Sequence, residues 1–339
     1  MDNSPKKKGR IKQHYVPQFY LRNFGDPLYS FDKKTEKTII TTPKNLAVKA
    51  DFYGGEFENL PSLEGLLSKL EGQHSVSMKK LIAKKDYYSL DRIDKIRICE
   101  FLGLQYVRTE QQRNDIRVMS DSIFNSMFES IIPPELKLTH GDSWDLTMQL
   151  KTIKEFRRFA TIFFHMRFLI MENNTTIPFW TSDNPIAKQN EVDSAPLGTL
   201  GVTNSGIEIH LPLTPKLSLV ALDPELFTLG PNKIEATKQG VIRENFLQID
   251  SSKRFVYSQS KRFHLIRGML KNNPHYKDEN RSRFETILGK QNGVTRVVIH
   301  AERNLRWPVD PNRPILDEMR TWISQDFIDT IMKDNSLDL

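Results

Sequence analysis

The sequence predicts an α+β fold in which a helical middle packs on a mostly antiparallel sheet. Helix-type and strand-type patterns come in separate runs rather than alternating, as expected for segregated layers. The apolar period also switches, from three-and-four over residues 63–165 to two beyond residue 165. One continuous domain over residues 13–339 is expected, because the opening stretch should pack on the later strands. Residues 1–12 are read as a flexible basic tail.

Taken in order, Gln13-His14-Tyr15-Val16-Pro17-Gln18-Phe19-Tyr20-Leu21-Arg22-Asn23-Phe24-Gly25 reads as a helix of barely two turns. Pro17 suits its first turn, and Gly25 the left-handed position past its end. Gln18 and Arg22, four apart, share one face, and His14 lies just before the first turn. These three polar groups form a site candidate, or else His14 and Gln18 simply brace a buried helix. Leu28 to Asp32 and Lys37 to Thr41 flank the turn residues Asp32-Lys33-Lys34-Thr35 and predict a hairpin.

Leu63, Leu66, Leu67, Leu70, His74, Met78, Leu81 and Ile82 recur at three and four, predicting a helix to about Lys84 with Ser62 as N-cap. Glu64 and Glu71 lie on one edge of that stripe. A second helix starts at Ser89-Leu90-Asp91. It is apolar nearly all round (Ile93, Ile96, Ile98, Phe101, Leu102, Leu104, Val107), so it is expected to be buried. On it Gln105, Arg108 and Gln112 fall within about 60° of one another. A buried Arg108 needs an anion, either an acidic residue (Glu64, Glu71 or Asp183) or a phosphate or carboxylate of a ligand.

A further helix runs toward Pro133-Pro134, and Trp144 to Phe164 reads as one more. Met166 to Met171 is a strand, Asn173-Asn174 a tight turn, and Ile177 to Thr181 its return strand. At that strand's end, Asp183 in Thr181-Ser182-Asp183-Asn184-Pro185 either builds an Asx turn or supplies a site. Residues 190–204 read as a loop. Ile207 to Leu213 and Leu217 to Leu222 are strands, with His210 a locally satisfied strand residue. Lys233 to Gln248 reads as a helix carrying Asn245, followed by a strand from Arg254 to Tyr257. Arg296 to His300 reads as a strand, and Leu316 to Met332 as a final amphipathic helix.

Composition narrows the class. With 38% hydrophobic and 27% charged residues, the chain matches soluble globular proteins. Its longest apolar runs, such as Leu217 to Leu222, are far too short to span a bilayer. Lys6-Lys7-Lys8-Gly9-Arg10 is followed by no apolar core, so it is no secretory signal, and a cytoplasmic location is expected. The single Cys99 can form no internal disulfide and no zinc site by itself. The net charge of +7 modestly favours a polyanionic partner, although several of those charges sit in the tail.

The stretch His14 to Phe24, followed by Leu28-Tyr29-Ser30-Phe31-Asp32, resembles the opening of the microbial domain-of-unknown-function family 4238. Gln105-Tyr106-Val107-Arg108-Thr109, Thr181 to Pro185, and Asn245 ahead of Phe255-Val256-Tyr257-Ser258 resemble its later landmarks. The resemblance covers about residues 10 to 265. It implies a grouping and candidate positions, with no established reaction.

No GxxxxGK[ST], GxGxxG, HExxH or GxSxG is present, which argues against P-loop hydrolases, Rossmann dehydrogenases, zincins and α/β-hydrolases. The candidate constellation is His14, Gln18, Arg22, Gln105, Arg108, Asp183 and Asn184, from segments that only folding could bring together. His14 has a pKa suited to proton transfer near neutrality. Asp183 could orient that imidazole, or bind Mg²⁺ or Mn²⁺ with Glu64 or Glu71. Arg22 and Arg108 would hold phosphate, and Gln18, Gln105 and Asn184 would orient substrate or water. Such a set suits phosphodiester cleavage of RNA or DNA, in a defence or toxin role of the kind uncharacterised microbial families often serve. The alternative is a non-catalytic module that binds an anionic ligand or partner through the same cluster. A wholly structural role for His14 is a third reading.

Overall fold

The computed structural model describes residues 12–54, 63–127, 142–190, 200–281, 284–291 and 294–302. Residues 1–11 of the expected basic tail, the Ser62 cap, the Pro133-Pro134 stop and the C-terminal helix lie outside these residues, whereas Lys12, read as the end of the tail, pairs with Ala50 in a strand. The chain opens with strand β1 (Lys12–His14), helix α1 (Gln18–Leu21) and a 3-10 turn (Arg22–Phe24). The hairpin of β2 (Leu28–Asp32) and β3 (Thr38–Thr41) follows as expected, then β4 (Val48–Ala50). The helical middle comprises α2 (Leu63–Lys84), α3 (Arg92–Val107), α4 (Glu110–Met127), α5 (Asp142–Lys154) and α6 (Phe156–Phe164). Beyond it lie β5 (Arg167–Glu172), β6 (Thr181–Ser182), β7 (Ala187–Asn190), β8 (Ile207–Thr214), β9 (Leu217–Leu222), β10 (Lys233–Glu235), α7 (Lys238–Ser251), β11 (Phe255–Ser258), α8 (His264–Asn272), β12 (Phe284–Gln291) and β13 (Val294–Glu302).

The fold is α+β with mostly antiparallel sheets. A five-stranded sheet runs β10-β5-β9-β8-β7, with only β10 and β5 parallel. A four-stranded sheet runs β3-β2-β11-β6, so the N-terminal hairpin does pair with a strand more than 200 residues later. Lys33, at the hairpin turn, is fully buried. Its ammonium donates to the carbonyls of Ile249 (3.0 Å) and Ser252 (2.7 Å) at the C-terminal end of α7. A cation there meets carbonyls that the helix leaves unpaired.

Three expectations are corrected. Ile177 to Thr181 is not the return strand of β5, because both edges of β5 are taken, by β9 and β10. Asn173 instead closes an Asx turn, accepting from the Thr175 amide at 2.9 Å. Lys233 to Gln248 is not one helix: residues 233–235 pair with β5, and Thr237 caps α7 by accepting from the Gly240 amide at 3.1 Å. Trp144 to Phe164 breaks at Glu155, which leaves helical geometry with ψ near 1°.

α3 is buried over its C-terminal half, where Ile98, Phe101, Leu102, Leu104 and Val107 belong to the main core. Its first turns are less so than predicted, since Ile93 and Ile96 are exposed. The tight partner of α3 is α6. A Cβ on Gly103 would run into the carbonyl oxygen of Phe156 and lie 2.7 Å from the Ala160 nitrogen. Both obstacles are backbone, so neither can swing aside. Gly103→Ala is therefore expected to cost about 1–3 kcal/mol by overpacking. Gly268→Ala in α8, where a Cβ meets nothing within 4 Å, is expected to be neutral or to stabilise by up to about 1 kcal/mol. Urea midpoints of the two variants check the pair.

Candidate functional site

β1 alternates its side chains so that Gln13 points inward and His14 is half-buried. Gln13 accepts from the Tyr53 amide at 2.7 Å, which ties β1 to the segment after β4. Pro17 sits just outside α1 in extended geometry, and its carbonyl accepts from the amides of Tyr20 (3.1 Å) and Leu21 (3.2 Å). One turn on, Arg22 donates to the Gln18 side chain at 2.8 Å, the i,i+4 pair the sequence predicts.

Arg108 caps the C-terminus of α3 and is buried. Its guanidinium donates to Glu71 of α2 at 2.8 Å and to the Gln105 side chain at 3.0 Å. Gln105 in turn donates to the Tyr15 carbonyl at 3.1 Å. The anion that Arg108 required is thus Glu71, one of the residues named from sequence. The chain Glu71–Arg108–Gln105–Tyr15 locks α2 and α3 to the opening stretch.

His14 lies within the field of this group. Its Nε2 is 3.1 Å from the Lys44 carbonyl oxygen. A carbonyl can only accept, so Nε2 carries the proton and Nδ1 keeps its lone pair. Burial lowers the imidazole below its usual 6.5; the Lys44 bond and Glu71 oppose that, and Arg108 and Arg22 reinforce it. His14 is therefore neutral at pH 7.

Asp183 and Asn184 do other work. Asp183 is buried, and its oxygens accept from the amides of Lys253, Arg254 and Phe255, each at 2.8 Å. Burial pushes the carboxyl up to about 6, against the Phe255 and Arg254 amides and the Lys33 charge. Asn184 accepts from Thr109 at 2.8 Å and donates to the Ser251 carbonyl at 2.9 Å. Asn245 pins the approach to β6, accepting from the Trp180 amide at 2.8 Å and donating to the Pro178 carbonyl at 3.0 Å. No hydrogen bond joins Asp183 to His14, so Asp183 does not orient that imidazole. Both its oxygens are occupied by amides.

The structure therefore brings His14, Gln18, Arg22, Gln105 and Arg108 into one cluster, adds Glu71, and leaves Asp183 and Asn184 in a separate scaffold. The two are linked through Arg108, Thr109 and Glu110. Of the metal candidates, Glu71 is paired with Arg108, Asp183 is bonded to amides, and the Glu64 side chain lies outside the described residues. Among the described residues no group of three His, Cys, Asp or Glu could hold a metal ion.

Sequence reasoning missed a second polar cluster. His210 on β8 is buried between Glu244 of α7 (2.6 Å from Nδ1) and Glu208 (3.1 Å from Nε2). Ser218 donates to the other oxygen of Glu244 at 2.9 Å. Glu208 is the local partner the sequence expected, but the shorter contact, to Glu244, spans 34 residues, so His210 is satisfied only in part locally. Glu208 and His210 stand two apart on one strand face, which was a visible signal; Glu244 was not. Burial alone would lower the imidazole, but Glu244 and Glu208 outweigh it and hold His210 at about 9.

The family model described as a protein of unknown function, DUF4238, matches residues 12–262, and the chain belongs to that family. No curated protein and no solved structure matches the chain. Among the described residues no helix is long and apolar enough to cross a membrane.

Two outcomes are expected. Asp183→Asn turns an acceptor oxygen into an NH₂ group facing amide donors, and should lower stability by about 1–3 kcal/mol or more. For His210 the folded pKa of about 9 lies above the unfolded value of roughly 6.5. Its stabilising contribution is then full below about pH 6.5 and lost as pH rises through 9. Urea midpoints of wild type should fall over that window, and the difference from His210→Gln should shrink with them.

Proposed function

We propose that this member of the DUF4238 family is a nuclease-like hydrolase that cleaves phosphodiester bonds of RNA or DNA, with His14 as the general base. One observation carries the reading. The Lys44 carbonyl fixes the proton on Nε2, burial keeps the ring neutral, and Nδ1 makes no hydrogen bond among the described residues. A neutral imidazole with a free lone pair at pH 7 is ready to take a proton from water or a ribose hydroxyl. Arg22 is the exposed cation of the cluster and is steered by Gln18, which suits it to a substrate phosphate. Arg108 is buried on Glu71 and shapes the site rather than gripping phosphate. The chain's net charge of +7 is consistent with a polyanionic substrate.

The same closed Glu71–Arg108 pair favours a second reading, an anion-binding module without chemistry, since it leaves only Arg22 to attract the ligand. His14 separates the two. Wild type, His14→Ala and His14→Gln are incubated with labelled RNA and DNA in Mg²⁺, in Mn²⁺ and in chelator. Cleavage by wild type is expected to drop about 10²–10⁴-fold in both variants. The lost Nε2 bond is partly exposed, so melting temperature should fall by only a few degrees. Full activity of His14→Ala overturns the reading, and so does an inert wild type. Intact binding weakened by Arg22→Ala would then support the module.

The pH profile gives an independent check. A base must be unprotonated, so activity should rise with pH and level off below neutrality. Arg22→Ala removes a charge that holds His14 down, so its inflection should move to higher pH. Glu71→Gln should move it lower.

A further inference from the structure

We propose that the substrate at the His14 cluster is RNA, and that the attacking group is the 2′-hydroxyl of the scissile nucleotide itself. This rests on the hydrolase reading above and narrows its substrate class.

Phosphodiester cleavage needs a base, positive charge at the phosphate and a nucleophile. The cluster holds the first two. His14 donates from Nε2 to the Lys44 carbonyl at 3.1 Å, and its Nδ1 makes no hydrogen bond among the described residues. Burial keeps the ring neutral. Arg22 supplies charge from within the cluster, and Lys12 and Lys44 stand beside it. Lys12 lies two residues before His14 on β1, so alternation puts both side chains on one face. Lys44 is adjacent through the carbonyl that holds the imidazole. All three cations are exposed, and none forms an ion pair with another described residue. Glu71, whose charge acts on His14, is already matched by Arg108 at 2.8 Å. Asp26, exposed and four residues beyond Arg22, forms no ion pair with it. The balance of charge around His14 is therefore positive.

Among the described residues the cluster has no nucleophile. Its other polar groups are the Gln18 and Gln105 amides and the Arg108 guanidinium, none of which attacks phosphorus or activates water. Tyr53, whose hydroxyl donates to the His14 carbonyl at 3.2 Å, is buried. The carboxylates that a metal-assisted attack by water would use are committed, Glu71 to Arg108 and Asp183 to three backbone amides. RNA brings its own nucleophile. A 2′-hydroxyl is held next to its phosphorus, and intramolecular attack of this kind reaches effective molarities of about 10⁵–10⁸ M. One base and a phosphate clamp then suffice, whereas DNA offers no such group.

In the step, His14 Nδ1 takes the 2′-hydroxyl proton, the 2′-oxygen bonds to phosphorus, and the bond from phosphorus to the 5′-oxygen breaks. The 5′-oxygen takes a proton from solvent, and His14 returns its own to solvent. The products are a 2′,3′-cyclic phosphate and a 5′-hydroxyl end.

The full chain is incubated with an all-RNA strand, an all-DNA strand, and a DNA strand carrying one ribonucleotide. Each is run in Mg²⁺ and in chelator, and the new ends are identified by mass spectrometry. Cleavage is expected in the all-RNA strand and, in the chimera, only on the 3′ side of the ribonucleotide, at the same rate in chelator, leaving a cyclic phosphate. A 2′-methoxy group at that one nucleotide should stop it, and His14→Gln should slow it about 10²–10⁴-fold. Cleavage of the all-DNA strand, cleavage of the methoxy strand, a 5′-phosphate end or loss of activity in chelator overturns the assignment to RNA while the hydrolase reading stands. No cleavage of any strand overturns both.

Discussion

The structure depends most on one buried carboxylate. Asp183 sits where the chain leaves the four-stranded sheet at β6 and heads for β7 in the five-stranded sheet. An anion in such a place is costly unless donors meet it. Three consecutive amides leading into β11 do so, and they hold Asp183 to that strand. Asn184 extends the same junction to Thr109 and Ser251, so the helical middle and α7 are referenced to it as well. A residue that looks like chemistry in sequence is here the joint of the scaffold.

The His14 cluster is held differently. α1 has too few residues to be stable alone, and it owes its position to Tyr20, whose hydroxyl donates to the Pro212 carbonyl at 2.6 Å across the core. The chain of half-buried Glu71 and buried Arg108 and Gln105 then supports the opening stretch from beneath. Removing one partner of a buried charge is strongly destabilising, so Arg108 depends on Glu71. Above that chain lie the half-buried Gln18 and the exposed Arg22, which are bonded to each other.

The Glu208–His210–Glu244 group shows how little of a buried network can be seen one strand at a time. An imidazolium between two carboxylates needs a fold that excludes water and yet supplies both acids, one from the strand and one from a helix packed over it. Glu208 keeps one oxygen without a hydrogen-bond partner among the described residues, which sets this cluster apart from the saturated Asp183 joint.

Local pattern was enough for much of this protein. Apolar period determined α2, alternation about turn residues determined the hairpin, and the spacing of Gln18 and Arg22 determined their shared face, because each involves residues close in sequence. The need of Arg108 for an anion also followed from its burial alone. Sequence placed too much weight on turn chemistry at Asn173-Asn174, since pairing partners for β5 came from β9 and β10. It also ran one helix through Lys233 to Gln248, where Thr237 as a cap had to be weighed against an apolar pattern. Which acid meets Arg108, which amides meet Asp183, and which glutamate meets His210 were decided only by tertiary structure. Those contacts join segments 34 to 72 residues apart. Coulomb and hydrogen-bond energies depend on distances of a few ångströms, and a linear chain specifies such distances only after its apolar surfaces have packed.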